Sequence, residues 1–152
     1  MVSEEDSQTI EIKERSRRQD AAGAAFRGCM DQISTTERFT PEEARRLGGL
    51  FLARLLEFEL FVQDVIQFEN TIGGLPRWHN PHERGKLEKA LFDAQKGDYR
   101  KFREALSLSS QGAWVQKGLR EKLSEIARLI PDQGEPFRPP PPAWQDPEFT
   151  QL

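Results

Sequence analysis

One cysteine, one tyrosine, two methionines and two histidines among 152 residues leave little material for several kinds of site. The lone Cys29 excludes an intramolecular disulfide and a cysteine-rich zinc site, and it points to a reducing compartment, so the cytoplasm is the expected location. Uninterrupted hydrophobic runs are missing too. The most apolar stretch, Leu47 to Phe68, carries Arg54, Glu57, Glu59 and Asp64, charges too costly for a lone membrane span. Met1 to Asp20 has no apolar centre of the kind a secretory signal needs, so neither export nor a membrane partner is expected. No strand pattern of convincing length occurs. GxSxG, a phosphate loop, HExxH and a nucleotide fingerprint are likewise lacking, since Gly48-Gly49 and Gly73-Gly74 have neither the spacing nor the strand context. No catalytic residue, cofactor or metal ligand is therefore assigned.

What is present is charge and helical periodicity. Charged residues make up 31% and hydrophobic ones 36%, a balance that suits one packed domain with solvated ends. The net charge of −3 is unevenly spread: residues 1–72 carry 14 acids against 9 bases, 73–130 carry 7 against 12, and 131–152 carry 4 against 1. Such asymmetry can steer a charged partner or hold the chain's own segments together.

Residues 1–20 alternate acids and bases around only Ile10 and Ile12, and read as a charged arm, flexible or extending the first helix. From Ala21 an amphipathic stripe begins, Ala22, Phe26, Cys29 and Ile33, predicting a helix from about Asp20 to Thr35. Thr40-Pro41-Glu42-Glu43 is a helix start, with a capping threonine, proline at the first helical position and a glutamate to complete the capping box. This second helix is predicted to run to about Asn70 and to stop at Gly73-Gly74-Leu75-Pro76. Leu47, Phe51, Leu55, Phe58, Val62 and Val65 form one stripe while Leu52, Leu56 and Leu60 lie round the cylinder, so the helix must be covered on more than one side. A central place in a bundle or a homodimer through this helix would do so.

Asn80-Pro81-His82-Glu83 is a second start, and helix three ends at Lys96-Gly97, where Asp98 caps a short helix carrying Tyr99, Phe102, Ala105 and Leu106. The hairpin from Ala94 to Ala105 is similar to the turn inside a tetratricopeptide repeat. With no second copy near the repeat spacing, it is expected to be an ordinary helical hairpin. Val115, Leu119, Leu123, Ile126 and Ile130 mark a last amphipathic helix, ended by Pro131, and residues 131–152 form a proline-rich acidic tail inclined to polyproline II. The expected architecture is all-α: a four- or five-helix bundle over residues 21–130, with a long central helix from which both chain ends extend.

Candidate sites follow from residue type. Arg77, Trp78, His79, His82 and Arg84 bring both histidines beside an aromatic and two cations, a combination suited to a recognition loop. The same segment also serves as a helix start, with Trp78 as a staple. In the tail, Pro139 and Pro142 have PxxP spacing after Arg138, with Trp144 as an anchor, a pattern that docks aromatic grooves or packs on its own domain. These residues and the over-apolar helix two lead to the expectation of a protein-binding module of inhibitor, immunity-protein, chaperone or adaptor type without catalytic activity. The alternative is a nucleic-acid-associated protein using the basic helices of residues 84–128. The third reading is an enzyme whose carboxylates, with Glu57, Glu59 and Glu69 the ones to inspect, are not locatable from sequence.

Overall fold

The capping and stripe signals above mark where each helix forms, and helix packing then decides the rest. A computed structural model describes residues 4–66, 81–109 and 117–147. Among these described residues five helices run α1 Glu4–Thr35, α2 Pro41–Ile66, α3 Pro81–Ala94, α4 Arg100–Ser109 and α5 Lys117–Leu129, followed by one 3-10 turn, Ala143–Gln145. The protein is all-α; among the described residues the sole β-type pairing is an isolated bridge between Asp98 and Gln133.

The charged residues from Glu4 onward belong to α1, which buries Ala22, Phe26, Cys29 and Ile33 on one side. At the start of α2 the Glu43 N–H donates to the Thr40 hydroxyl at 3.1 Å, and the Thr40 carbonyl accepts the Ala44 N–H at 2.8 Å. The first of these bonds satisfies an amide donor that the helix cannot satisfy itself, and the second is the helix's first backbone bond. α2 packs against all four other helices. Its Leu47, Phe51, Leu52 and Leu55 are fully buried, with Leu50, Ala53 and Leu56 partly so, which accounts for apolar residues on more than one side. The predicted continuation to Asn70, the Gly73–Pro76 stop and the Asn80 cap lie outside the described residues.

Two adjacent glycines let α2 be approached closely from two directions. A methyl group on Gly48 would lie 2.9 Å from Leu106 and 3.2 Å from Ile126, so α4 and α5 pack down on this point. A methyl on Gly49 would lie 2.2 Å from the Phe137 ring, which comes from the tail. Phe102 joins these layers, edge-on to Tyr99 at 5.2 Å and to Phe137 at 5.9 Å between ring centroids.

The α3–α4 turn closes on Gly97 at φ +90°, a conformation that costs a glycine little because it has no Cβ. Asp98 then caps α4 through its carboxylate, which accepts the Arg100 N–H at 3.2 Å. The tail does not project from the bundle. Residues 132–147 fold back as a strap: Tyr99 N–H donates to the Asp132 carbonyl, Gly134 N–H to the Gly97 carbonyl and Phe137 N–H to the Ala94 carbonyl, at 2.8, 3.0 and 2.9 Å. The reason it stays is packing together with satisfied backbone groups, since Phe137 fills the space that Gly49 leaves open and the turn supplies donors and acceptors that proline-rich chain cannot supply to itself.

Candidate functional site

Two surfaces among the described residues concentrate polar chemistry. The first is the seat of the strap on α2. Arg54 is 5% exposed, and one of its guanidinium nitrogens donates both to Glu57 Oε2 at 3.0 Å and to the Pro141 carbonyl at 2.9 Å. The other Glu57 oxygen accepts the Ala143 N–H at 2.6 Å. An arginine and a glutamate one helical turn apart thus read a carbonyl and an N–H of the strap backbone. Beyond them Trp144 is half-buried, with the Arg18 guanidinium 4.3 Å from its ring centroid, tying the strap to α1.

The second surface is a groove of about 880 Å³ between α4 and α5. Arg100, Arg103, Glu104 and Ser107 share one face of α4 by their spacing, and Arg120, Glu121, Ser124, Ala127 and Arg128 do so on α5. Buried Ala127 lies on its floor, and the two helices meet through the apolar stripes Phe102, Ala105, Leu106 and Leu119, Leu123, Ile126, all buried. Apolar faces inward leave the charged faces side by side, and the groove is the seam between them. Arg100 is held by Asp98 through two contacts, at 2.8 and 3.1 Å, which keeps the Asp98 carboxyl down at about 2. Arg103 donates to the Ile130 carbonyl at 3.1 Å and pairs with Asp132, so the strap's first residues fix its position. Arg120 and Arg128, eight positions apart, are separated by about 12 Å along the α5 axis.

Of the residues expected from sequence to bind a partner, Arg77, Trp78 and His79 lie outside the described residues, and His82 stands in the first turn of α3 with its side chain also outside them. Arg84 is half-buried in an ion pair with Glu88 at 3.3 Å. Pro139 and Pro142 are exposed on the strap. The structure therefore brings Pro139, Pro142 and Trp144 together on one segment. Among the acids picked out for inspection, Glu57 is engaged with Arg54 and Ala143, whereas the Glu59 side chain and Glu69 lie outside the described residues. Burial pushes the Cys29 thiol up to about 12, so at neutral pH it is a protonated apolar filler and not a nucleophile.

Sequence reasoning missed the Arg54–Glu57 reader and the Gly48–Gly49 pair. The signal was available as a charged pair one turn apart and two adjacent glycines inside an otherwise apolar helix. Among the described residues no three His, Cys, Asp or Glu side chains gather as a metal would need, and no helix is long and apolar enough to cross a membrane. Comparison with protein-family models, with curated proteins and with solved structures gives no match.

Proposed function

We propose that the chain is a small helical protein-binding module that takes a segment of a partner protein in the α4–α5 groove. The observation that carries this reading is the mixed charge of the groove's lining, with Arg100, Arg103, Arg120 and Arg128 interspersed with Glu104 and Glu121. A polypeptide with acids about 12 Å apart, the spacing of Arg120 and Arg128, and a basic residue between them would meet lining charges of opposite sign. A nucleic-acid backbone presents only negative charge and would set phosphates against Glu104 and Glu121. The groove thus favours a mixed-charge polypeptide over the nucleic-acid alternative.

Fluorescence anisotropy with three labelled probes tests the idea: a helical peptide with acids two turns apart around a central lysine, its scrambled counterpart, and a single-stranded oligonucleotide. The matched peptide should bind best, weaken with salt, and lose on the order of tenfold in affinity to the Arg120→Glu/Arg128→Glu variant. Equal binding of the matched and scrambled peptides, or tighter binding of the oligonucleotide, would overturn the reading.

A further inference from the structure

The strap presents a surface that the groove does not use. From Phe137 to Ala143 exposure repeats every third residue: Phe137 is half-buried, Arg138 and Pro139 exposed, Pro140 half-buried, Pro141 and Pro142 exposed, Ala143 buried. That is the period of a polyproline II helix. Covalent structure enforces it here, because Arg138, Pro139, Pro140 and Pro141 each precede a proline and are driven to extended ψ, while each ring fixes its own φ. Pro142 has φ −54° and ψ 144°, as that conformation requires. The ridge of Phe137, Pro140 and Ala143 accordingly faces the bundle. Two ridges, Arg138 with Pro141 and Pro139 with Pro142, face solvent.

The seat sets how the strap is turned about its own axis. Phe137 occupies the space over Gly49, Arg54 holds the Pro141 carbonyl and Glu57 holds the Ala143 N–H. A three-sided helix fastened by one side offers its other two at a constant orientation. The ordering entropy that a free tail would lose on docking has then already been lost in folding.

We infer that the strap is a pre-ordered ligand for an aromatic-lined polyproline-binding groove on a second protein, of the SH3 or WW kind. Such a groove would clasp the two outward ridges, its aromatic rings against Pro139, Pro141 and Pro142, while the third ridge stays on the bundle. Arg138 projects beside the prolines and would meet an acidic group at the groove's rim, the charge complement of this end of the strap. This inference stands apart from the α4–α5 groove, since none of the strap residues from 137 to 143 lines that groove.

The test is a titration of the ¹⁵N-labelled full chain with a panel of purified SH3 and WW domains, in parallel with a synthetic peptide of residues 135–147. The Arg138 and Ala143 amides and the Trp144 indole are the reporters. At least one domain should shift Arg138 and bind the full chain about tenfold more tightly than the peptide, the gain that comes from pre-ordering. Pro139→Ala and Pro142→Ala should abolish that binding, and Pro140→Ala, on the seated ridge, should weaken it far less. Far-UV circular dichroism checks each variant for folding, and Arg138→Glu, on an exposed position, provides a weakened variant that leaves the seat intact. A panel in which no domain shifts Arg138 would overturn the inference. So would a domain that binds the peptide but not the full chain, or a Pro140→Ala loss as large as that of Pro139→Ala, since the strap would then be an internal brace alone.

Discussion

Removing the Glu57 carboxylate should destabilise the fold far more than removal of an exposed glutamate. Its side chain is 12% exposed and that of its partner Arg54 6% exposed, so the pair sits where water cannot replace either member. Glu57→Ala takes the carboxylate away from a buried guanidinium and the acceptor away from the Ala143 N–H. Breaking a buried pair by deleting one partner costs about 3–5 kcal/mol. Against a typical domain stability of about 5–15 kcal/mol that is a large share. For a chain of this length it corresponds to a fall in Tm on the order of 10 °C. Urea denaturation gives the free energy, and hydrogen exchange at the Ala143 amide reports the strap directly. Glu57→Gln, which keeps an acceptor and loses the charge, should fall between, and Arg54→Met/Glu57→Leu should recover much of the loss because no charge is left buried. A Glu57→Ala variant within about 1 kcal/mol of the parent, with the Ala143 amide still protected, would refute the reasoning.

Gly49→Ala should expel Phe137 and cost about 1–3 kcal/mol, whereas in a Phe137→Ala background the same change should cost little, a non-additivity that a double-mutant cycle in urea measures. The Cys29 thiol should resist a disulfide reagent at neutral pH until the chain is unfolded. Because its folded value lies near 12, above the ordinary 9.0, its contribution to stability is complete below about pH 9 and declines as pH rises toward 12, which denaturation at a series of alkaline pH values will show. Asp98 is held down at about 2 from 3.8, chiefly by its hydrogen bond with Arg100, so its carboxylate should titrate late in a ¹³C NMR series. The stability it supplies is present above pH 4 and is lost as pH falls through 2.

Much of the scaffold was readable before packing was considered. Thr40 with Glu43, Gly97 and the stripe Ala22, Phe26, Cys29, Ile33 act locally, through neighbours within a turn or two, so their spacing alone announces the helix they start, stop or face inward. The surplus of apolar residues on α2 correctly implied cover on several sides. What covers one of those sides was not legible, because the strap meets Arg54 and Glu57 across more than 80 positions of chain and reads as a spacer when taken alone. Within α2 those two charges look like any solvated pair. The groove was hidden for a related reason: the polar faces of α4 and α5 become one surface only after their apolar faces have met. Gly48 and Gly49 lack the spacing of a nucleotide site, and their service, to admit α4, α5 and Phe137, requires knowing what lies opposite.

The strap's seat also has an order in time. Its floor on α1 and α2 and its edge at the α3–α4 turn are complete by Tyr99, while the groups that occupy it arrive between Asp132 and Trp144. During synthesis on a ribosome, at roughly 5–20 residues per second, Arg54 and Glu57 are therefore made seconds before the backbone they grip. The strap thus closes over a seat whose every gripping group precedes it in the chain.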